Sequence, residues 1–327
     1  MVKTDFHADD YALTENTSLN MLECMQAGKL DSISIVPNMS CFGQCMEMLY
    51  EQIPSLPFLP LMSVHLDFVE GRSLAKKGEV PLLVKGDTGL MGLSWGGLFT
   101  YSYLPGKRRQ VKEQLKREIK AQILRTQEAV NKCVEIAKKH GIACGQEGLR
   151  LDSHQHAHMI PVVWEAVLEV VKEEGWQLSY IRNSKEVLGV FLSEKGLRKT
   201  YRSINFVKNR LLWFYSHKVD RYCSRHDMEQ MYLWGLIMSG RMDHGRIMTL
   251  YPKMIRRAGE DRRTLEILFH PGLTLGEEVT EEIGKEAVKT FYMCPDREVE
   301  KDTVLRLERD KEKDTQLHLM AEESRRR

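Results

Sequence analysis

Asp152, Ser153, His154, Gln155, His156 and His158 fall within seven consecutive positions, directly after the alternating apolar pair Leu149 and Leu151. Imidazole is the commonest protein metal ligand, and it carries protons near neutral pH. Such residues at a strand end are costly to bury unless something pairs with them, and a divalent cation is one such partner. A solvated polar loop is the other reading of the same stretch. Asp9 and Asp10 adjoin near the start of the chain. Neighbouring carboxylates repel unless a cation lies between them, although such a pair alone reads as a helix-capping loop. One carboxylate and two imidazoles make an open site for a divalent ion, with positions left for water and substrate. Asp10, His65 and His154 are expected to supply that set, with Asp9 free as a general base. His156 and Asp152 are candidates for hydrogen-bonding a ligand imidazole or contacting substrate. Arg182 either orients Asp9, holds a substrate oxygen or forms a structural ion pair. His270 precedes Pro271-Gly272 and by itself reads as a turn residue. His7, His140, His217, His226, His244 and His318 have no comparable setting and read as surface or structural residues.

These groups need a scaffold that brings positions 9 to 270 together. Short apolar runs at residues 2–6, 32–36, 61–66, 149–154, 178–181 and 265–269 read as strands. Helical spacing marks residues 15–27, with Thr14 as N-cap and Gly28 as the stop. Further helices are expected at 42–50, 111–140, 162–174, 203–216, 228–238, 245–257, 277–292 and from 299 onward. Alternating strands and helices favour an α/β fold with a mainly parallel sheet, open or closed into a barrel. In barrels of this kind functional groups gather at the carboxyl ends of strands. Asp9-Asp10, His65, Asp152 to His154, Arg182 and His270 all stand at or just after expected strands. Residues 71–106 are rich in glycine and read as a long loop over one face. Trp95, Phe99, Tyr101 and Tyr103 lie in it. They either offer stacking faces to a ligand under a closing lid or fill a satellite core.

The 327 residues carry 48 Lys and Arg against 46 Asp and Glu, a net charge of +2 that gives no support for nucleic-acid binding. The first residues lack the apolar core of a signal peptide, and the longest apolar stretches are too short to span a bilayer. The expectation is a cytoplasmic protein with no membrane partner. Seven cysteines without a CxxC pair read as free thiols of a reducing compartment. Residues 296–327 are dense in charge and read as an exposed helix with a frayed tail. The expected division is a barrel over 1–305 and a charged tail over 306–327. Methionine-rich segments 21–48 and 228–254 are either core or a subunit contact, which leaves a homodimer open.

Ala8-Asp9-Asp10-Tyr11, Val64-His65-Leu66 with Glu70-Gly71, Asp152-Ser153-His154-Gln155-His156, Tyr180-Ile181-Arg182 and Glu266 to Gly272 together resemble the YdjC-like carbohydrate deacetylases. This family includes chitooligosaccharide and hopanoid-linked glycan deacetylases, and the resemblance runs from about residue 3 to about residue 305. It implies an irregular TIM-like (β/α) barrel in a single domain. It implies metal-dependent removal of an acetyl group from an N-acetylated sugar or oligosaccharide, using one divalent ion, Mg or Zn. By motif position the ligands fall on Asp10, His65 and His154, the base on Asp9 and the acid on His270. His156, Asp152, Arg182 and Trp95 are left for substrate or for support of the ligands. The alternatives are a metal-dependent hydrolase of another amide, an ester or a phosphate, and a non-catalytic carbohydrate-binding protein. The absence of a GxxxxGK loop weighs against nucleotide substrates. Two positions depart from the family pattern: Tyr11-Ala12 stands for Phe-Gly, and Asp67 for Asn.

Overall fold

A computed structural model describes residues 2–76, 78–283 and 286–307. Seven strands form one sheet: β1 (Thr4–Tyr11), β2 (Ser32–Ile35), β3 (Leu61–Leu66), β4 (Leu149–Ser153), β5 (Leu178–Ile181), β6 (Met231–Trp234) and β7 (Thr264–Phe269). Their order is β5-β4-β3-β2-β1-β7-β6, and every pairing is parallel. Parallel neighbours need long crossovers, which here are supplied mainly by helices. The helices are α1 (Glu15–Gln26), α2 (Phe42–Gln52), α3 (Trp95–Tyr101), α4 (Lys107–Lys139), α5 (Pro161–Glu173), α6 (Leu188–Ser193), α7 (Ser203–Arg225), α8 (His244–Glu260), α9 (Glu286–Tyr292) and α10 (Asp296–Arg306). Among the described residues β5 and β6 share no ladder. One backbone bond, from Leu233 N to Lys185 O at 3.0 Å, joins β6 to the segment after β5. The sheet is therefore a curled half-barrel. The expected TIM-like architecture holds in its alternation of strand and helix, but not in full closure.

Local chemistry explains the elements. The Thr14 hydroxyl accepts from Thr17 N, and the Thr17 side chain answers at Thr14 N, so α1 starts with a reciprocal cap. Asp243 caps α8 by accepting from Arg246 N, and Pro161 opens α5 at a position whose N–H would have no helical partner. β2 and β7 are buried along their whole length, as expected for strands covered on both faces. α4 turns three buried polar side chains toward the glycine-rich segment. Glu118 accepts from Ser73 Oγ, Leu74 N and Ala75 N, Gln114 from Leu82 N, and Gln122 exchanges two bonds with the Asp67 backbone. Residues 67–82 are thereby tied down, while α3 lies further along the same segment.

Four expectations need correction. Residues 228–238 were expected to be a helix, but 231–234 form β6, followed by a turn at Gly235. A four-residue apolar run buried on both faces has no period to separate strand from helix. The helix expected over 277–292 is confined to α9, after a short 3-10 turn at Gly276–Glu278. β1 runs on through Asp9 and Asp10 rather than ending before them, with its register shifting between Ala8 and Tyr11. The segment from 296 is not an exposed helix: Arg297, Glu300, Thr303 and Val304 of α10 are buried. The tail from residue 308 lies outside the described residues.

Candidate active site

Asp5, His7 and Asp9 alternate along β1, so their side chains share one face of the strand. The shift in register after Ala8 then turns Asp10 into the left-handed region, with φ of 74°. That conformation is uncommon for a residue with a Cβ and recurs where a site dictates the backbone. Adjacent carboxylates thus part company. Asp9 meets Arg182 in a bidentate pair, with both bonds at 2.8 Å. Asp10 faces two imidazoles: its Oδ1 lies 3.2 Å from His154 Nδ1 and 3.6 Å from His65 Nε2.

Each ligand candidate is held from behind. His65 Nδ1 lies 2.6 Å from Asp152 Oδ1, so an N–H there leaves Nε2 as the lone-pair atom. His154 Nε2 lies 2.7 Å from the Tyr292 hydroxyl, which donates to Glu70 Oε2 at 2.9 Å. Arg297 Nη2 donates to Asp10 Oδ2 at 2.7 Å, which leaves Oδ1 facing the imidazoles. One donor atom from each of Asp10, His65 and His154 lies within 4.8 Å of the others, and all three residues are buried. A carboxylate oxygen and two imidazole nitrogens converging on one point, with their outer atoms already bonded, fit a divalent ion. Two neighbouring groupings, His7-Asp9-Asp152 and Asp67-Glu70-His154, meet the same distance limit.

The charge balance also favours a cation. Burial alone would lower the basicity of His154, but Asp67, Asp10 and Glu70 outweigh it and push the imidazole up to about 10. Burial likewise opposes ionisation of Asp10, yet His154 and Arg297 hold its carboxyl well below the usual range. The same contest at Asp9 is won by Arg182, with His65 and His7 assisting. Burial raises Glu70 to about 7 despite the neighbouring His154 and the Tyr292 hydrogen bond.

The other named residues divide by position. Arg182 is fully buried and also bonds Glu266 Oε1 at 2.6 Å, so it stands behind Asp9 rather than at the cavity wall. Asp152 is buried between His65, Ser34 and Arg182. His156 lines the cavity with Nδ1 2.9 Å from Ser184 Oγ, while His158 is buried against Ser153 and the Arg182 carbonyl. His270 also lines it; its backbone N–H donates to Glu300 Oε2 at 2.7 Å, and its Nδ1 has no hydrogen-bond partner among the described residues. Gly272 after it has φ of 84°, and a Cβ there would stand 2.4 Å from Asn20 Cβ, so the turn that aims His270 requires glycine. Trp95 reaches the cavity, whereas Phe99, stacked behind it, and Tyr103 and Tyr215, packed against Phe99, do not line it. Asp9, Asp10, His65, His154, His156, His270 and Trp95 thus open onto one cavity of about 550 Å³.

Arg297, Tyr292 and His7 join the site without having stood out in the sequence, and Glu70 and Glu266 stood out only as parts of the family motifs, with no role of their own. The alternation of Asp5, His7 and Asp9 on one strand was a usable signal for His7, which bridges Ser32 and Ser34 at 2.6 Å on each side. Arg297 sits in a helix dense in charged residues, and nothing in the sequence marks it.

Residues 6–134 and 139–314 match the family described as YdjC-like protein. The chain belongs to that family. A relative named carbohydrate deacetylase, from Vibrio parahaemolyticus serotype O3:K6 (strain RIMD 2210633), is 27% identical over 172 residues. That alignment covers 53% of this chain and 56% of the relative, so the chain spans little more than half the length of the relative it matches. Among solved structures, a candidate cellobiose-phosphate cleavage protein from Enterococcus faecalis V583 superposes with a TM-score of 0.58 and 18% identity. It covers 99% of this chain and 95% of its own, a likeness of fold alone.

Proposed function

We propose that the chain is a metal-dependent hydrolase that removes the acetyl group from an N-acetylated sugar or oligosaccharide. The observation that carries this reading is the meeting of Asp9, Asp10, His65, His154 and His270 at one cavity in a YdjC-like chain. Asp10, His65 and His154 would hold one divalent ion, Mg or Zn, whose chemistry is to polarise an amide carbonyl and acidify water.

The residues supply the remaining steps. As a water oxygen bonds to the acetyl carbon, Asp9 takes the water proton. Arg182 keeps Asp9 ionised and, through its bidentate pair, fixes the direction of the carboxylate at the cavity. An amine leaves only with a proton, and His270 delivers one to the sugar nitrogen as the C–N bond breaks. Acetate and the free amino sugar result. Trp95 and Phe291 offer aromatic surface at the cavity wall for a sugar ring.

The test is acetate release from N-acetylglucosamine oligomers by the purified chain, with and without a chelator. Release that stops on chelation and returns with added divalent ion supports the reading. Release that ignores the chelator contradicts it. Binding of the oligomers without any release would favour a non-catalytic sugar-binding protein.

A further inference from the structure

α7 carries an apolar stripe that no other described element covers. Ile204, Val207, Leu211 and Phe214 follow the spacing of a single helix face, and Ile204, Val207 and Phe214 are 55%, 63% and 69% exposed. Tyr103 and Leu104, just before α4, extend the patch at 60% and 42% exposure. They are joined to α7 through the Tyr103 and Tyr215 hydroxyls, 2.5 Å apart. Arg202, Lys208, Arg210 and Arg221 on or beside α7, with Lys107 and Arg109 on α4, are exposed around it. Among the described residues none of these six forms an ion pair. The whole chain is only +2, so this rim is a local excess of positive charge. The cavity opens through the same patch, because Arg202, Ile204, Val207, Lys208 and Leu211 form part of its wall.

We propose that the cavity mouth docks on an anionic phospholipid surface. Exposed aliphatic and aromatic tips ringed by Lys and Arg match the headgroup boundary, where the tips leave water and the cations meet phosphate. A second copy of the chain would set two rims of like charge against each other. A nucleic acid would meet the cations but leave the apolar tips without a partner. No described helix is long and apolar enough to cross a membrane, and surface docking requires none. The inference concerns binding alone and does not depend on the reaction proposed above.

The test is cosedimentation of the full chain with vesicles of phosphatidylcholine, alone or mixed with phosphatidylglycerol. The chain should sediment with the mixed vesicles, be released by high salt, and ignore phosphatidylcholine alone. The double variant Leu104→Ser with Phe214→Ser, neither at the cavity wall, should bind about tenfold more weakly. Lys107→Glu with Arg210→Glu should lose binding through charge alone. Failure to sediment with anionic vesicles overturns the proposal, as does unchanged binding by both variants. A wild-type dimer in analytical ultracentrifugation that Leu104→Ser with Phe214→Ser converts to monomer would assign the patch to a subunit contact instead.

Discussion

Asp9 and Asp10 are chemically identical neighbours placed in different company. Arg182 claims both oxygens of Asp9, whereas Arg297 claims only Oδ2 of Asp10. Replacing Asp9 by Asn should therefore leave bound metal at one equivalent while turnover falls by about 10²–10⁴-fold, the range for losing a general base. Elemental analysis beside an acetate assay reads both; loss of metal together with activity would make Asp9 a ligand. Ala12 is a second consequence of the same turn of chain. It has φ of 65°, a conformation that costs a residue with a Cβ about 1–2 kcal/mol. Ala12→Gly relieves that strain but removes a fully buried core methyl and frees the unfolded chain, so it should change stability by less than about 1 kcal/mol. A larger change in either direction would contradict this. The residue types that converge on the cavity were legible because histidine and aspartate at strand ends are conspicuous. Arg297 was not, since an arginine among many others carries no mark of burial, and Glu70 showed only as part of a motif, without its bond to Tyr292.

At the scale of elements, the half-barrel puts strand ends on one side, and two later devices complete the cavity. α10 reaches back with Arg297 to Asp10 and with Glu300 to His270 N and Met242 N. Glu186, after β5, accepts from Gly235 N, Leu236 N and Ile237 N at 2.8–3.0 Å, fixing the turn after β6 that lines the cavity. Burial outweighs these donors and raises Glu186 from its ordinary 4.5 to about 7. Because the folded value is the higher one, its contribution to stability is full below the ordinary value and is lost as pH rises through about 7. Denaturant unfolding from about pH 4 to about pH 8 should show up to about 3 kcal/mol more loss in the wild type than in Glu186→Gln, whose remaining slope includes Glu70, also raised by burial to about 7. Equal slopes in the two proteins would assign the effect to other groups. The alternation of strands and helices was legible from periodicity, and long amphipathic α4 was plain. β6 was not, because Met231 to Trp234 has too few residues to reveal a period. The burial of α10 was hidden for a different reason: its inward residues are themselves polar and charged.

For the molecule as a whole, a family pattern spread from residue 6 to residue 314 corresponds to one sheet whose distant strand ends meet. The half-barrel shape could not be read from the sequence, since closure depends on whether β5 and β6 pair, and that is a matter of twist and crossover length rather than composition. The reading of the whole chain rests on a single ion lying between Asp10, His65 and His154. Anomalous diffraction from crystals soaked in Zn tests this most directly. One strong peak is expected, with a donor atom of each of these three residues at about 2.0–2.2 Å. A peak held instead by Asp67 and Glu70, or by His7 and Asp152, with none between Asp10 and His65, would contradict it.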